Sequence, residues 1–199
     1  MALNFDSRIS AFEQLGLWLE QFLKEVENNR FTDDFNSEFQ AIIERQSREN
    51  GWFTQYNIYS SLAAIRDNLQ AESLNNLRFV YGNRIATSWQ EKIVAVVTGA
   101  FFPLVSFYDF MVVLLTGNVL QIKLHADDKL LLPKIAQKLM EIEPDFSEKI
   151  QFVDQLHDFE RVIITEENGH SEVLCQYFSK YPMFVHRRQR AAAILTGNE

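Results

Sequence analysis

The sequence predicts an α/β protein: a Rossmann-like, mainly parallel sheet flanked by helices, with an N-terminal helical subdomain over residues 1–91 and the sheet-bearing domain over 92–199. Three observations carry this reading. Apolar residues recur at steps of three and four through the first part of the chain. After Trp89, short β-branched runs alternate with helical ones, the grammar of parallel strands joined by crossovers. With 47% hydrophobic residues and 17 Phe in 199, the apolar surface suffices to offset the entropy of ordering, which excludes disorder for most of the chain.

The first helix is predicted over roughly residues 3–27, where Phe5, Ile9, Phe12, Leu15 or Trp18, Leu19, Phe22 or Leu23, and Val26 recur at steps of three and four. Phe35, Phe39 and Ile42 make a second, shorter stripe, and Gly51 breaks it. Thr54 is the predicted N-cap of a third helix, in which Ile58, Leu62, Ile65 and Leu69 repeat at 4, 3, 4. The continuous run KIVAVVT (92–98) reads as a parallel strand buried on both faces. Pro103 suits a first helical turn, and the helix that follows runs to Gly117, a natural C′ residue. VLQIKL (119–124) is the next strand, and Asp127 or Asp128 is the candidate cap of the helix through IAQKLM (135–140). KIQFV (149–153) and RVIIT (161–165) are two further strands, with a helix from about His170 to Lys180. MFVHR (183–187) and AAAIL (191–195) are weaker strand candidates.

Composition narrows the chemistry. A net charge of −8 opposes nonspecific binding to nucleic acid or anionic lipid. A single thiol forms no internal disulfide and no cysteine-based zinc site, and the four histidines show no metal-ligand spacing. The first twenty residues carry Asp6, Glu13 and Glu20 without a basic n-region, and no window reaches the apolar length that spans a bilayer, so the expected location is the cytoplasm.

Parallel sheets bind ligands beyond the carboxyl ends of their strands, which directs attention to residues 98–104, 123–129 and 165–171. The first segment, TGAFFPL, has one glycine where a dinucleotide fingerprint has three, so Gly99 and Pro103 read equally as a plain strand-to-helix turn. Lys123 ends the second strand, where an ammonium either meets a ribose or phosphate or is simply solvated. Glu166 and Glu167 are adjacent and so point apart, as a solvated turn does. Cys175 lies inside SEVLCQYF, away from the helix N-terminus or basic neighbour that activates a nucleophilic thiol, and reads as inert and buried. The basic knot HRRQR (186–190) reads as a local salt-bridging surface or a phosphate contact.

Several stretches, in order, carry a resemblance: FPLVSFYDFMVVLLTGN (102–118), KLHADDKLLLP (123–133), EIEPDFSEKIQFV (141–153), YFSKYP (177–182) and AILTGNE (193–199), with NGWFT (50–54) in the opening helical part. The chain resembles the acyl-CoA reductase family, NADPH-dependent enzymes typified by the fatty acid reductase subunit of bacterial bioluminescence and related to the aldehyde dehydrogenases. The resemblance implies that this part binds NADP or NAD, while a separate catalytic domain supplies the cysteine that attacks an acyl thioester. Cys175 does not match that cysteine, so no catalytic residue is expected here. Lys123 matches the lysine that contacts the cofactor's ribose or 2′-phosphate, and Thr165 matches the threonine of a T-G-S-N turn beside the pyrophosphate. Gly99, Lys123, Thr165 and Asn168 are thereby the candidate cofactor-binding residues; no metal site is expected.

Two positions depart from the family pattern. Phe101 stands where an asparagine amide helps form an oxyanion hole, and a phenyl ring donates no such bond. Thr165-Glu166-Glu167-Asn168 replaces T-G-S-N, so a glycine is lost and two carboxylates stand near the expected phosphate. At about 5 Å and an effective dielectric of 20, each such contact costs roughly 3 kcal/mol. Two functions therefore compete: the cofactor-binding half of a thioester-to-aldehyde reductase, inactive alone, and a degenerate noncatalytic relative acting as a binding or regulatory partner in lipid metabolism. Either would expose an apolar domain-facing surface that favours self-association or a protein partner.

Overall fold

The structure, a computed structural model, describes residues 3–87, 90–166 and 171–187. Four helices come first: α1 (Phe5–Glu27), α2 (Asp34–Glu49), α3 (Gln55–Asn68) and α4 (Ala71–Thr87). Then strands and helices alternate as β1 (Ile93–Val97), α5 (Phe107–Leu115), β2 (Val119–Lys123), α6 (Leu131–Ile142), β3 (Ile150–Phe152), β4 (Arg161–Glu166), α7 (Ser171–Tyr177) and β5 (Met183–Arg187). The five strands form one parallel sheet in the order β3-β2-β1-β4-β5, a Rossmann-like arrangement.

Local chemistry sets the helix starts. Asn4, Asp33 and Thr54 each accept a hydrogen bond from the backbone N–H three residues on, at 2.8, 2.7 and 3.2 Å, satisfying donors that the first turn leaves free. Helix α1 buries Ile9, Phe12, Leu15, Leu19 and Phe22 and packs against α3, α4, α5 and α6. Gly16 permits the close crossing with the end of α3: a Cβ there would lie 2.8 Å from that of Leu69. The tie to α2 is aromatic as well as polar, with the Phe22 and Phe39 rings 4.9 Å apart. Buried Asn36 accepts from Trp18 Nε1 and donates to the Glu25 carboxylate, both at 2.8 Å. Helix α4 has the weakest apolar stripe of the four: Leu74 is buried, whereas Phe79 is 89% exposed.

The two sheet faces have separate cores. Val94, Val96, Leu120, Ile122 and Ile150 join α1 to α6 in one continuous cluster, so the N-terminal helices and the sheet share their principal core. Its aromatic centre is Phe12, edge-on to Phe110 at 6.4 Å and to Phe146 at 5.9 Å. On the other face Ala95, Val162 and Ile164 pack with Phe178, Leu174, Leu156 and Phe159. Residues 153–160 connect β3 to β4 with no helix. Gln121, fully buried in β2, explains how that connection is held: its Oε1 accepts the His157 backbone N–H at 2.7 Å, and its Nε2 donates to Gln151 at 3.3 Å.

Several sequence expectations shift in detail. Pro103 belongs to the turn before α5, which begins at Phe107. Neither Asp127 nor Asp128 caps α6; the cap position is Leu130, without a side-chain bond. Gly117 does follow α5 with φ +76°, the left-handed conformation that glycine tolerates. The AAAIL strand candidate (191–195) lies outside the described residues.

Candidate functional site

Strand β1 pairs with β4 on one side, while the chain leaves β1 for β2 on the other; ligands of open parallel sheets sit beyond such a switch point. Here Thr98 and Gly99 continue β1. Thr98 Oγ1 accepts the His125 backbone N–H at 2.8 Å, which ties the loops after β1 and β2 together. Gly99 is buried, and a Cβ added to it would lie 3.0 Å from the Thr165 carbonyl oxygen. The missing side chain thus serves the close approach of β1 and β4. Phe101 packs over the same spot and sets its ring edge-on to Phe102 at 5.8 Å.

Thr165 is 5% exposed, near the end of β4. Its hydroxyl donates to Asp109 Oδ2 at 2.6 Å, and Asp109 Oδ1 lies 2.8 Å from His186 Nε2. Asp109 stands in the first turn of α5 and is 7% exposed, so a buried carboxylate is held by a hydroxyl and an imidazole from neighbouring strands. Thr165 and His186 are register partners on β4 and β5, which places both on one sheet face. The His186 ring remains about half exposed. Sequence reasoning found Thr165 and missed its partners; the available signal was a lone Asp inside the apolar run SFYDFMVVLL.

A second acid holds the loop after β1. Leu104 has φ +59°, a left-handed conformation costly for a branched side chain. Its N–H donates to Asp128 Oδ2 at 2.9 Å. Asp128 is 5% exposed, and its Oδ1 is buried without a donor. Burial pushes its pKa up to about 7, against the smaller opposing effect of the Leu104 N–H. Gln46 of α2 reaches the same turn through the Asp127 carbonyl, at 2.8 Å, and its Oε1 is likewise buried without a donor.

Beyond the ends of β2 and β3 lies a crevice of about 440 Å³, lined by Lys123, Leu124, Lys129, Phe152, Val153 and Asp154. Lys123 and Lys129 are exposed and form no ion pair among the described residues, whereas Lys24, Lys92, Lys134, Lys138 and Lys149 each meet a glutamate. The structure thus brings Gly99 and Thr165 into contact and sets Lys123 in a separate crevice across β1. Asn168 lies outside the described residues, as do the side chains of Glu166 and Glu167. Cys175 is half-buried rather than fully buried, and it is a free thiol.

Fold and edge together define a Rossmann-like α/β protein with a two-lysine crevice beside a closed switch point. Compared with known protein families the chain matches none, and no curated protein sequence is significantly similar to it. Among the described residues, no helix is long and apolar enough to cross a membrane. Nor does any group of three or more His, Cys, Asp or Glu there offer a metal site.

Proposed function

We propose that this chain is the nicotinamide-cofactor-binding half of an acyl-thioester reductase of the acyl-CoA reductase type, with the adenosine end of NADP or NAD in the β2–β3 crevice. One observation carries the reading: Lys123 and Lys129, two ammonium groups without ion-pair partners among the described residues, line a crevice at the carboxyl edge of the sheet in a chain of net charge −8. Such a pair suits a ribose bearing a 2′-phosphate, and Asp154 in the same lining offsets part of the charge. A reduced nicotinamide supplies hydride when bound; the residues here bind and orient. Calorimetric titration of NADPH and NADH tests the reading. Lys123→Ala is expected to weaken NADPH by roughly tenfold, the effect of one charged hydrogen bond, and NADH by less. Failure of both cofactors to bind at millimolar concentration would sink it.

A second reading has its own support. At the switch point Phe101 covers Gly99, the Thr165 carbonyl occupies the space a cradle would need, and the Thr165 hydroxyl is committed to Asp109. These features favour a noncatalytic relative that uses the fold as a binding or regulatory partner in lipid metabolism. Aldehyde formation from an acyl-CoA by the purified chain would refute it; we expect none. Self-association through a groove of about 280 Å³ beside α5, where Val112 and Phe184 are at least half exposed, fits either reading. Light scattering that shows a clean monomer over a wide concentration range counts against that surface.

A further inference from the structure

The opposite edge of the sheet holds a buried cation with no counterion among the described residues. Arg8, in the first turns of α1, is 9% exposed. Nη1 donates to the Leu3 carbonyl at 2.6 Å, and the guanidinium carbon lies 5.9 Å from the Phe5 ring centre. Nε is buried with no partner, and Nη2 makes no hydrogen bond among the described residues. Gly117 closes the other side so tightly that any Cβ would fall 2.5 Å from Nη1. Among the described residues, its hydrogen bond and its ring contact are therefore both to neutral groups. Burial lowers its pKa, yet a guanidinium does not shed its proton at physiological pH.

Arg8 lines a cavity of about 100 Å³ with Leu3, Glu91, Leu114, Gly117 and Lys149. Glu91 precedes β1, Gly117 precedes β2 and Lys149 precedes β3, so the cavity sits at the amino edge, away from the lysine crevice. Glu91 and Lys149 pair with each other, which leaves the Arg8 charge over. The carboxyl end of α5, just before Gly117, contributes about half a negative charge and compensates it only in part.

We propose that this cavity is a binding site for a small monocarboxylate, which accepts from the Nη2 edge of the Arg8 guanidinium and whose short alkyl part rests on Leu3 and Leu114. A planar guanidinium matches a carboxylate in geometry, and one negative charge balances the site. At about 100 Å³ the cavity accommodates a ligand of the dimensions of formate or acetate. This site is independent of nucleotide binding.

The test is thermal unfolding of the full chain titrated with sodium formate, acetate or sulfate at constant ionic strength. A ligand that binds only the folded state raises the midpoint. Formate and acetate are expected to give saturable rises exceeding that of sulfate. Arg8→Gln should weaken the apparent affinity by at least about tenfold, the effect of losing charged hydrogen bonds. Because Arg8→Gln also touches the packing of α1, Glu91→Gln provides the second arm. Glu91 is about half exposed, and its neutralisation should tighten acetate severalfold. Equal, non-saturating responses to all three salts in the wild type and in Glu91→Gln overturn the proposal, as does a preference for sulfate.

Discussion

Asp128→Asn is the most informative single substitution in this chain. The Asp128 carboxyl has an ordinary pKa of 3.8 and, buried, one of about 7. The folded value lies above the unfolded one, so the unfolded state releases this proton first as pH rises. Stability is therefore lost between about pH 4 and pH 7. A shift of about three units at about 1.4 kcal/mol each gives a loss of about 4 kcal/mol, complete above about pH 7. Asparagine has no proton to lose. It retains an acceptor for the Leu104 N–H and adds a donor at a turn where Asp128 Oδ1 and Gln46 Oε1 are both without one. Urea unfolding of both proteins at pH 4.5, 6 and 7.5, followed by tryptophan fluorescence, isolates the effect, because all other titrating groups are common to the pair. Asp128→Asn is expected to gain on the wild type steadily across that range and to be the more stable protein at pH 7.5. A difference in unfolding free energy that stays constant with pH would falsify the assignment of a buried, proton-holding carboxyl at this turn.

Other substitutions probe the edge and the core. Thr165→Val keeps the shape but strips a donor from buried Asp109, and a loss of about 1–3 kcal/mol in urea unfolding is expected. Gly99→Ala sets a methyl 3.0 Å from a backbone carbonyl that belongs to the sheet; the strain should cost about 1–3 kcal/mol and is read as a lower midpoint. Phe12→Ala removes a fully buried ring that meets Phe110 and Phe146, and a loss of about 3–5 kcal/mol is expected, with an unchanged loss on deleting the distant Phe159 ring.

The sequence announced the sheet wherever a strand was apolar on both sides. The runs around Val94–Val97 and Val162–Ile164 bury residues toward two separate clusters, so their patterns needed no tertiary knowledge. Helix α4 carried no comparable signal, because its apolar contribution to the core is confined to Leu74 and Leu77 among the described residues, and its Arg78–Asp6 ion pair to α1 leaves no periodic pattern. The β3–β4 connection depends on Gln121, a glutamine in a fully buried strand position whose partner His157 lies 36 residues away. The site was legible in the same uneven manner. Lys123 and Thr165 could be placed because strand ends can be read from a run of residues. Asp128 looked like a local cap for the next helix; instead it serves Leu104, 24 residues upstream, a choice made by packing and invisible to local spacing. Asp109 was concealed because both of its partners come from strands that the fold alone sets side by side.

The shared core has a consequence for how this chain is made. Phe12 leaves the ribosome before its ring neighbours Phe110 and Phe146, which are synthesised only after all four N-terminal helices and, respectively, one and two of the five strands. At roughly 5–20 residues per second, that interval is on the order of ten seconds. Throughout it, the apolar stripe of α1 from Ile9 to Phe22 lacks its final covering on the nascent chain. A helix made before the sheet whose core it completes is thus a segment in need of protection by a chaperone during translation.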